Sequence, residues 1–128
     1  METLREITSH QVNPVNKALK IAVHDEPGPG GASCLYSITV PDVKYGNFIS
    51  PAMYAISFQN GPTTDGVNGI THEALIAILI DRLERFQTGP FANAFNEKAL
   101  GHLVAAKELL GERTRLRTER GVEGTLTP

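Results

Sequence analysis

The spacing of hydrophobic residues changes along this chain, from a strand-like pattern to a helix-like one at about residue 70. Upstream, alternating apolar positions and runs of β-branched and aromatic residues predict three β-strands, at residues 18–24, 34–40 and 53–58. Phe48-Ile49 is a candidate for a further strand, and Pro41-Asp42 is expected to end the second one. The Pro- and Gly-rich segment 25–31 predicts a hairpin loop.

Downstream, the pattern predicts two helices joined by a short break. Thr71 is a suitable N-cap for a first helix that runs to about Gln87, where Gly89-Pro90 ends it. A second helix begins within residues 93–96 and ends at Gly121, a residue that readily takes the left-handed conformation after a helix.

The first of these helices is apolar on more than one face. Residues 74–80 form an unbroken apolar run, and Leu83 and Phe86 extend it, so apolar side chains nearly encircle the first two turns. A surface helix normally carries a single apolar stripe, and this distribution indicates burial on two sides. We therefore expect a homo-oligomer, at least a dimer, in which a second copy covers one side.

These elements together predict an α+β fold, with a small antiparallel sheet followed by a C-terminal antiparallel helical hairpin. The sheet would occupy residues 18–60 and the hairpin residues 71–120, followed by a short tail. At 128 residues, the chain is long enough to form one domain, 1–128, without disulfides or metal.

Composition restricts the classes of function. A net charge of −2 argues against a binder of long nucleic acid, which normally has a basic excess. The single cysteine, Cys34, cannot form an internal disulfide, and the first twenty residues lack the apolar core of a signal peptide. The apolar run at 74–80 is far shorter than the ~20 residues of a membrane span. We expect a cytoplasmic protein with no membrane partner.

The most suggestive charged residues are Arg113 and Arg117, one helical turn apart. Two guanidinium groups at this spacing share a helix face and can hold a phosphate or diphosphate as a fork. The plainer interpretation is that arginines in a last turn are solvated and favoured by the helix dipole.

No catalytic or metal-binding constellation is evident. The four histidines, at positions 10, 24, 72 and 102, show no metal-ligand spacing, so we expect no metal and no cofactor. His24-Asp25-Glu26 has no identifiable partner base, and Pro29 interrupts the glycines at 28–31. The chain is therefore expected to be a binding protein and not an enzyme.

Four motifs occur together in this chain, at residues 58–62, 66–73, 81–91 and 113–125. Together they resemble one family, the phage-encoded type-one Thoeris anti-defence sponges. The resemblance implies a protein that sequesters glycocyclic ADP-ribose, an immune signal, in the bacterial host cytoplasm. It also implies that some members bind cyclic di- or trinucleotides at a separate site. Whether dimers assemble further into hexamers stays open.

The resemblance further implies a ligand pocket built from Phe86, Asn96, Arg113 and Arg117. In that pocket Phe86 would stack on a base, Asn96 would contact a base edge or ribose hydroxyls, and the arginines would hold the diphosphate. One departure affects ligand preference: where family members often have Cys-Arg-Glu-Asn, this chain has Asn93-Ala94-Phe95-Asn96.

Helix geometry constrains how these four residues can share a ligand. Asn96 and Arg113 are 17 residues apart in the sequence, which is about 25 Å along a continuous helix. A compact nucleotide cannot bridge that distance, so the arginines are expected to come from a second, antiparallel copy in a two-fold dimer. Two alternatives stay open: an enzyme that cleaves such a nucleotide, and a structural or interaction protein of a phage.

Overall fold

The computed structural model describes all residues from 1 to 128 and divides them into two compact units. The N-terminal unit comprises Met1–Gly61 and Asp65–Gly69, and the C-terminal unit comprises Pro62–Thr64 and Ile70–Pro128. The first contains an antiparallel sheet and the second a helical hairpin, so the predicted α+β class is confirmed. The assignment of the chain to one domain stays a prediction.

The N-terminal unit is a four-stranded antiparallel sheet in the order β1-β2-β3-β4. Its strands are β1 (Arg5–Ile7), β2 (Lys20–Val23), β3 (Leu35–Tyr45) and β4 (Phe48–Ser57). The polar N-terminal residues thus supply a short edge strand. A single helical turn, α1 (Pro14–Lys17), links β1 to β2 and is capped by the side chain of Asn13.

The buried part of this unit is small. Val23 is fully buried and Ser37 is 2% exposed, in strands that pair with each other. The buried Ser37 hydroxyl has a partner, because its Oγ lies 2.7 Å from His24 Nε2. The other ring nitrogen of His24 lies 2.6 Å from the Glu2 carbonyl, so the imidazole links the N-terminal residues to the sheet.

The β3–β4 hairpin is longer than the sequence pattern predicted. The expectation that Pro41-Asp42 ends the strand is wrong, since β3 continues to Tyr45 and β4 begins at Phe48 as one strand. The reason is a register shift between Val40 and Val43, which places Pro41 where the ladder is already interrupted. Gly46, at φ +62°, then makes the tight turn between the strands.

The C-terminal unit consists mainly of α2 (His72–Gln87) and α3 (Ala94–Glu119). The Thr71 hydroxyl accepts a hydrogen bond from the backbone N–H of Ala74 at 3.1 Å, which confirms Thr71 as the N-cap. At the far end of α3, Gly121 has φ +71° and ends the helix as predicted. None of the helices is both long and apolar enough to cross a membrane.

The two helices leave much of their apolar surface uncovered. No side chain of α2 or α3 is buried within the chain, and on α2 Ile78 is 64% and Leu79 47% exposed. The apolar residues that encircle α2 therefore have no cover on one side from their own chain. Burying an aliphatic side chain of this size contributes about 1.5–3 kcal/mol, so this surface favours association.

The Asp25 carboxylate holds the start of β3, because it accepts backbone hydrogen bonds from Leu35 at 3.0 Å and Cys34 at 2.9 Å. These bonds lower the pKa of Asp25. Its stabilising contribution is therefore complete above the unfolded-state pKa and is lost as the pH falls through the folded-state pKa. We expect Asp25→Asn to lower the free energy of unfolding most at neutral pH, with the gap from the wild type closing on acidification.

Urea denaturation, carried out from neutral pH down to a pH below the folded-state pKa of Asp25, measures the effect. Asp42→Asn is the matched control, because no hydrogen bond or ion pair engages that exposed carboxylate. Parallel stability curves for the wild type and Asp25→Asn would contradict the role given to Asp25.

Candidate ligand-binding site

A cavity of about 300 Å³ lies at the C-terminal end of α2, within the C-terminal unit. This volume is at the lower end of the range for small-molecule sites, about 300–1,000 Å³. The wall combines aromatic and apolar residues with two arginines, namely Arg82, Arg85, Phe86, Gly89, Pro90 and Phe91. Its composition suits a ligand with both a flat apolar part and a negative charge.

Helical spacing assembles one half of this cavity. Arg82, Arg85 and Phe86 follow one another at i, i+3 and i+4 and so project from the same face of α2. The guanidinium carbon of Arg82 lies 5.1 Å from the centroid of the Phe86 ring, in a cation–π arrangement. Phe86 is 37% exposed, so part of its ring faces solvent.

The turn after α2 supplies the other half. Thr88 donates to the Arg85 carbonyl through both its backbone N–H and its hydroxyl, and the Gly89 N–H donates to the Phe86 carbonyl. The side-chain amide of Gln87 then holds both backbone groups of Asn93, at 3.0 and 3.1 Å. These bonds fix the turn that carries Pro90 and Phe91 to the cavity wall.

The two arginines of the cavity have no acidic partner. The ion pairs of the chain, at 4.0 Å or less, involve Arg113, Arg115 and Arg117. Asp81 precedes Arg85 by four residues, a spacing that permits an ion pair, but none forms. Both guanidinium groups of the cavity therefore keep their hydrogen-bond donors available for a ligand.

Asn96 lies at the same end of the hairpin but does not line the cavity. It is in the first turn of α3, where its backbone N–H donates to the side chain of Asn93 at 2.8 Å. Asn93, and not Asn96, is thus the N-cap of this helix. The Asn96 amide forms no hydrogen bond within the chain and is partly exposed, so it can contact a ligand.

Arg113 lies at the opposite end of the hairpin from Phe86. Its Nη2 is 3.9 Å from the carboxylate of Glu73, in the first turn of α2, and its side chain is 55% exposed. Glu73 and Phe86 are 13 residues apart on one helix, which is about 20 Å along its axis. Within one chain, Phe86 and Arg113 therefore cannot contact the same compact nucleotide.

Arg117 is engaged with the residues that follow α3. Its guanidinium donates to the Glu123 carboxylate at 2.9 Å and to three backbone carbonyls, those of Val122, Thr125 and Thr127. Because of these bonds Arg117 organises the C-terminal tail in this structure. A ligand contact by Arg117 requires some of these bonds to be exchanged.

Five of the cavity residues were not among the predicted site residues: Arg82, Arg85, Gly89, Pro90 and Phe91. The signal was present in the sequence, since Arg82 and Arg85 precede Phe86 by four residues and one residue. What the sequence did not give was the absence of acidic partners and the position of Phe91 across the turn.

In the N-terminal unit, the hydroxyl of Ser37 beside His24 is not an accessible nucleophile. The contact between His24 Nε2 and Ser37 Oγ has the length of a catalytic serine–histidine hydrogen bond. Ser37 is only 2% exposed, however, so a substrate cannot reach its hydroxyl in this structure. The pair links strands and stabilises the sheet.

Comparison with known proteins identifies the hairpin. Residues 53–114 match the family model of the Acb2/Tad1 hairpin domain. Over 99 residues the chain is 39% identical to Thoeris anti-defense 1 of Bacillus phage SBSphiJ7, a match covering 77% of this chain and 64% of that protein. The chain belongs to the Acb2/Tad1 family. The resemblance inferred from the motifs is thereby confirmed.

The Acb2/Tad1 match extends from within β4 to Thr114, five residues before the end of α3. It includes the whole cavity and three of the four predicted ligand residues, Phe86, Asn96 and Arg113. Arg117 lies just beyond it, in the part of α3 that contacts the tail. The aligned region spans about two thirds of the length of the curated Acb2/Tad1 relative.

The contacts of Arg117 predict a structural effect of its removal. Arg117→Ala removes the donor from Glu123 and from the carbonyls of Thr125 and Thr127, and we expect a loss of roughly 1–3 kcal/mol in the free energy of unfolding. The tail should also become more sensitive to proteases. Thermal denaturation and limited proteolysis with mass spectrometry measure both effects.

Arg115→Ala is the control, because Arg115 pairs only with the exposed Glu112 and Glu119 of its own helix. Such pairs contribute about 0–1 kcal/mol. Equal losses of unfolding free energy in the two variants would show that the tail contacts of Arg117 stabilise the chain no more than the exposed ion pairs of Arg115.

Proposed function

We propose that this protein is a phage anti-defence protein that sequesters a cyclic nucleotide signal of the glycocyclic ADP-ribose type and so blocks Thoeris defence in the cytoplasm of the host bacterium. The observation that carries the proposal is the cavity beside Phe86, with two unpaired arginines, inside the hairpin that matches the Acb2/Tad1 family. The relative named Thoeris anti-defense 1 supports the biological setting.

The chemistry of the cavity supports a nucleotide ligand. A base stacked on an aromatic ring is stabilised by roughly 1–3 kcal/mol, and the partly exposed Phe86 ring offers such a surface. Arginine fits the diphosphate of such a signal because its planar, permanently charged fork binds oxygens in pairs. Asn96 provides donors and an acceptor for ribose or base at the same end of the hairpin.

The complete pocket, in this proposal, is a property of a homo-oligomer. One copy supplies Phe86 and Asn96, and an antiparallel second copy supplies Arg113 and Arg117. The separation of Phe86 from Arg113 within one hairpin requires this arrangement if both contact one ligand. The uncovered apolar residues of α2, Ile78 and Leu79, provide surface for the association. A two-fold axis gives two equivalent pockets.

Sequestration needs a tight, slowly releasing site and no general acid or base. In keeping with this, no titratable group of the cavity other than its arginines lines the wall. The competing function is enzymatic cleavage of the same signal.

Release of the ligand separates these functions. The protein is incubated with glycocyclic ADP-ribose, freed of unbound ligand, and heat-denatured, and the supernatant is examined by mass spectrometry. We expect the intact compound at a stoichiometric yield. Recovery of a cleaved product would establish an enzyme. If neither the intact nor the cleaved compound is recovered, the assignment of glycocyclic ADP-ribose as the ligand is wrong.

The oligomeric pocket makes a prediction for mixed variants. Phe86→Ala and Arg113→Ala should each bind the signal at least tenfold more weakly, because each truncates one half of every pocket. In a mixture, heterodimers regain one intact pocket, so calorimetry should show partial recovery of binding.

Subunit exchange is first confirmed by native mass spectrometry of differently tagged chains. Mixing Phe86→Ala with Asn96→Ala is the matched control. Both changes affect the same half of the pocket, so each of the two pockets of the heterodimer contains one altered half and neither is intact. Equal behaviour of the two mixtures would mean that each chain binds ligand alone.

A further inference from the structure

We propose that Arg82 and Arg85 form a phosphate clamp within each chain, and that Arg82 leaves the face of Phe86 when a nucleotide base takes its place. This inference rests on the proposed function, since it specifies how the same site holds its ligand. It assigns a binding role to two residues outside the predicted set of Phe86, Asn96, Arg113 and Arg117.

The first argument is the placement of the charges. Arg82 and Arg85 are exposed, line one cavity and form no ion pair, whereas Arg113, Arg115 and Arg117 are each engaged with a carboxylate. Two neighbouring cations without a counter-charge repel each other, and an anion that lies between them removes that repulsion. A phosphate bound there gains charge-assisted hydrogen bonds without breaking existing ones.

The second argument concerns the helix end. Arginines near the C-terminus of a helix are often explained by the helix dipole alone, which also disfavours an anion at that end. Here the exposed carbonyls of Arg85 and Phe86 are already satisfied by Thr88 and Gly89. These hydrogen bonds reduce the negative potential at the end of the helix. The helix dipole is therefore a weaker explanation for the presence of the two arginines, and it repels a bound phosphate less.

The third argument is the position of Arg82 over the ring. With its guanidinium carbon 5.1 Å from the centroid of Phe86, Arg82 covers the surface on which a base would stack. Stacking on that face requires Arg82 to move, and the nearest favourable destination is the phosphate of the incoming ligand. The ligand class is therefore a phosphorylated nucleoside, bound through base and phosphate together.

This mechanism predicts opposite effects on charged and uncharged ligands. In Arg82→Gln, AMP should bind about 10- to 100-fold more weakly, which corresponds to one lost hydrogen bond to a charged group. Adenosine, which lacks the phosphate, should bind equally or more tightly, because the Phe86 face is no longer covered. A purely structural role of Arg82 would weaken both ligands alike.

The test uses the full chain with AMP, adenosine and glycocyclic ADP-ribose as probes. Binding is followed by calorimetry and by the Nε–H resonances of ¹⁵N-labelled arginine in the wild type, Arg82→Gln, Arg85→Gln and Arg82→Lys. Arg82→Lys keeps the charge but loses the planar fork, so it should recover part of the affinity for AMP. Lys107→Gln, which removes an exposed and unpaired cation from α3, is the matched control.

The outcomes separate this inference from the proposed function. If the wild type binds glycocyclic ADP-ribose and both glutamine variants bind it as tightly, the clamp is refuted and the proposed function stands. If AMP shifts the Arg82 and Arg85 resonances but glycocyclic ADP-ribose does not bind, the clamp stands and the proposed ligand is wrong. If no probe shifts these resonances or binds, both are overturned.

Discussion

The turn between the two long helices is the constraint on which the candidate site depends. The side-chain amide of Gln87 holds the backbone of Asn93, and the Asn93 amide in turn accepts from Asn96 and donates to the Phe91 carbonyl. The Gln87 amide thus fixes the end of the loop, and the Asn93 amide caps the start of α3. Because the loop is held at both ends, Phe91 lies against Arg82 and Phe86 in one cavity.

The distribution of charge partners gives the arginines of the C-terminal unit different roles. Arg115 is neutralised on its own helix, and Arg117 is engaged with the tail through Glu123 and three carbonyls. Arg82 and Arg85 have no such partners and lie beside an exposed aromatic ring. Formal charge alone therefore does not indicate a ligand site; the combination of unpaired donors with an exposed aromatic ring distinguishes the cavity.

The hairpin is held by its caps, its turn and a contact between α2 and α3 in which the apolar side chains are only partly buried. No side chain of α2 or α3 is buried, and aliphatic residues of α2 remain exposed to solvent in the single chain. Isolated helices of this kind are of marginal stability in water, and tertiary or quaternary packing normally supplies the rest. The same exposed surface accounts for the expectation that a second copy covers one side of α2.

The sequence by itself determined the α+β class, the limits of α2 and the relationship to the Acb2/Tad1 family, because caps, breakers and hydrophobic period are local signals. It did not predict the full length of β3, since the register shift that tolerates Pro41 is a property of the strand pair. Only the tertiary structure decided which arginines are free, because Arg117 and Glu123 meet through the fold of the tail. Arg82 and Arg85 are close to Phe86 in the sequence. They are candidate ligand contacts because no acidic side chain pairs with them in the folded chain, and the sequence does not show that.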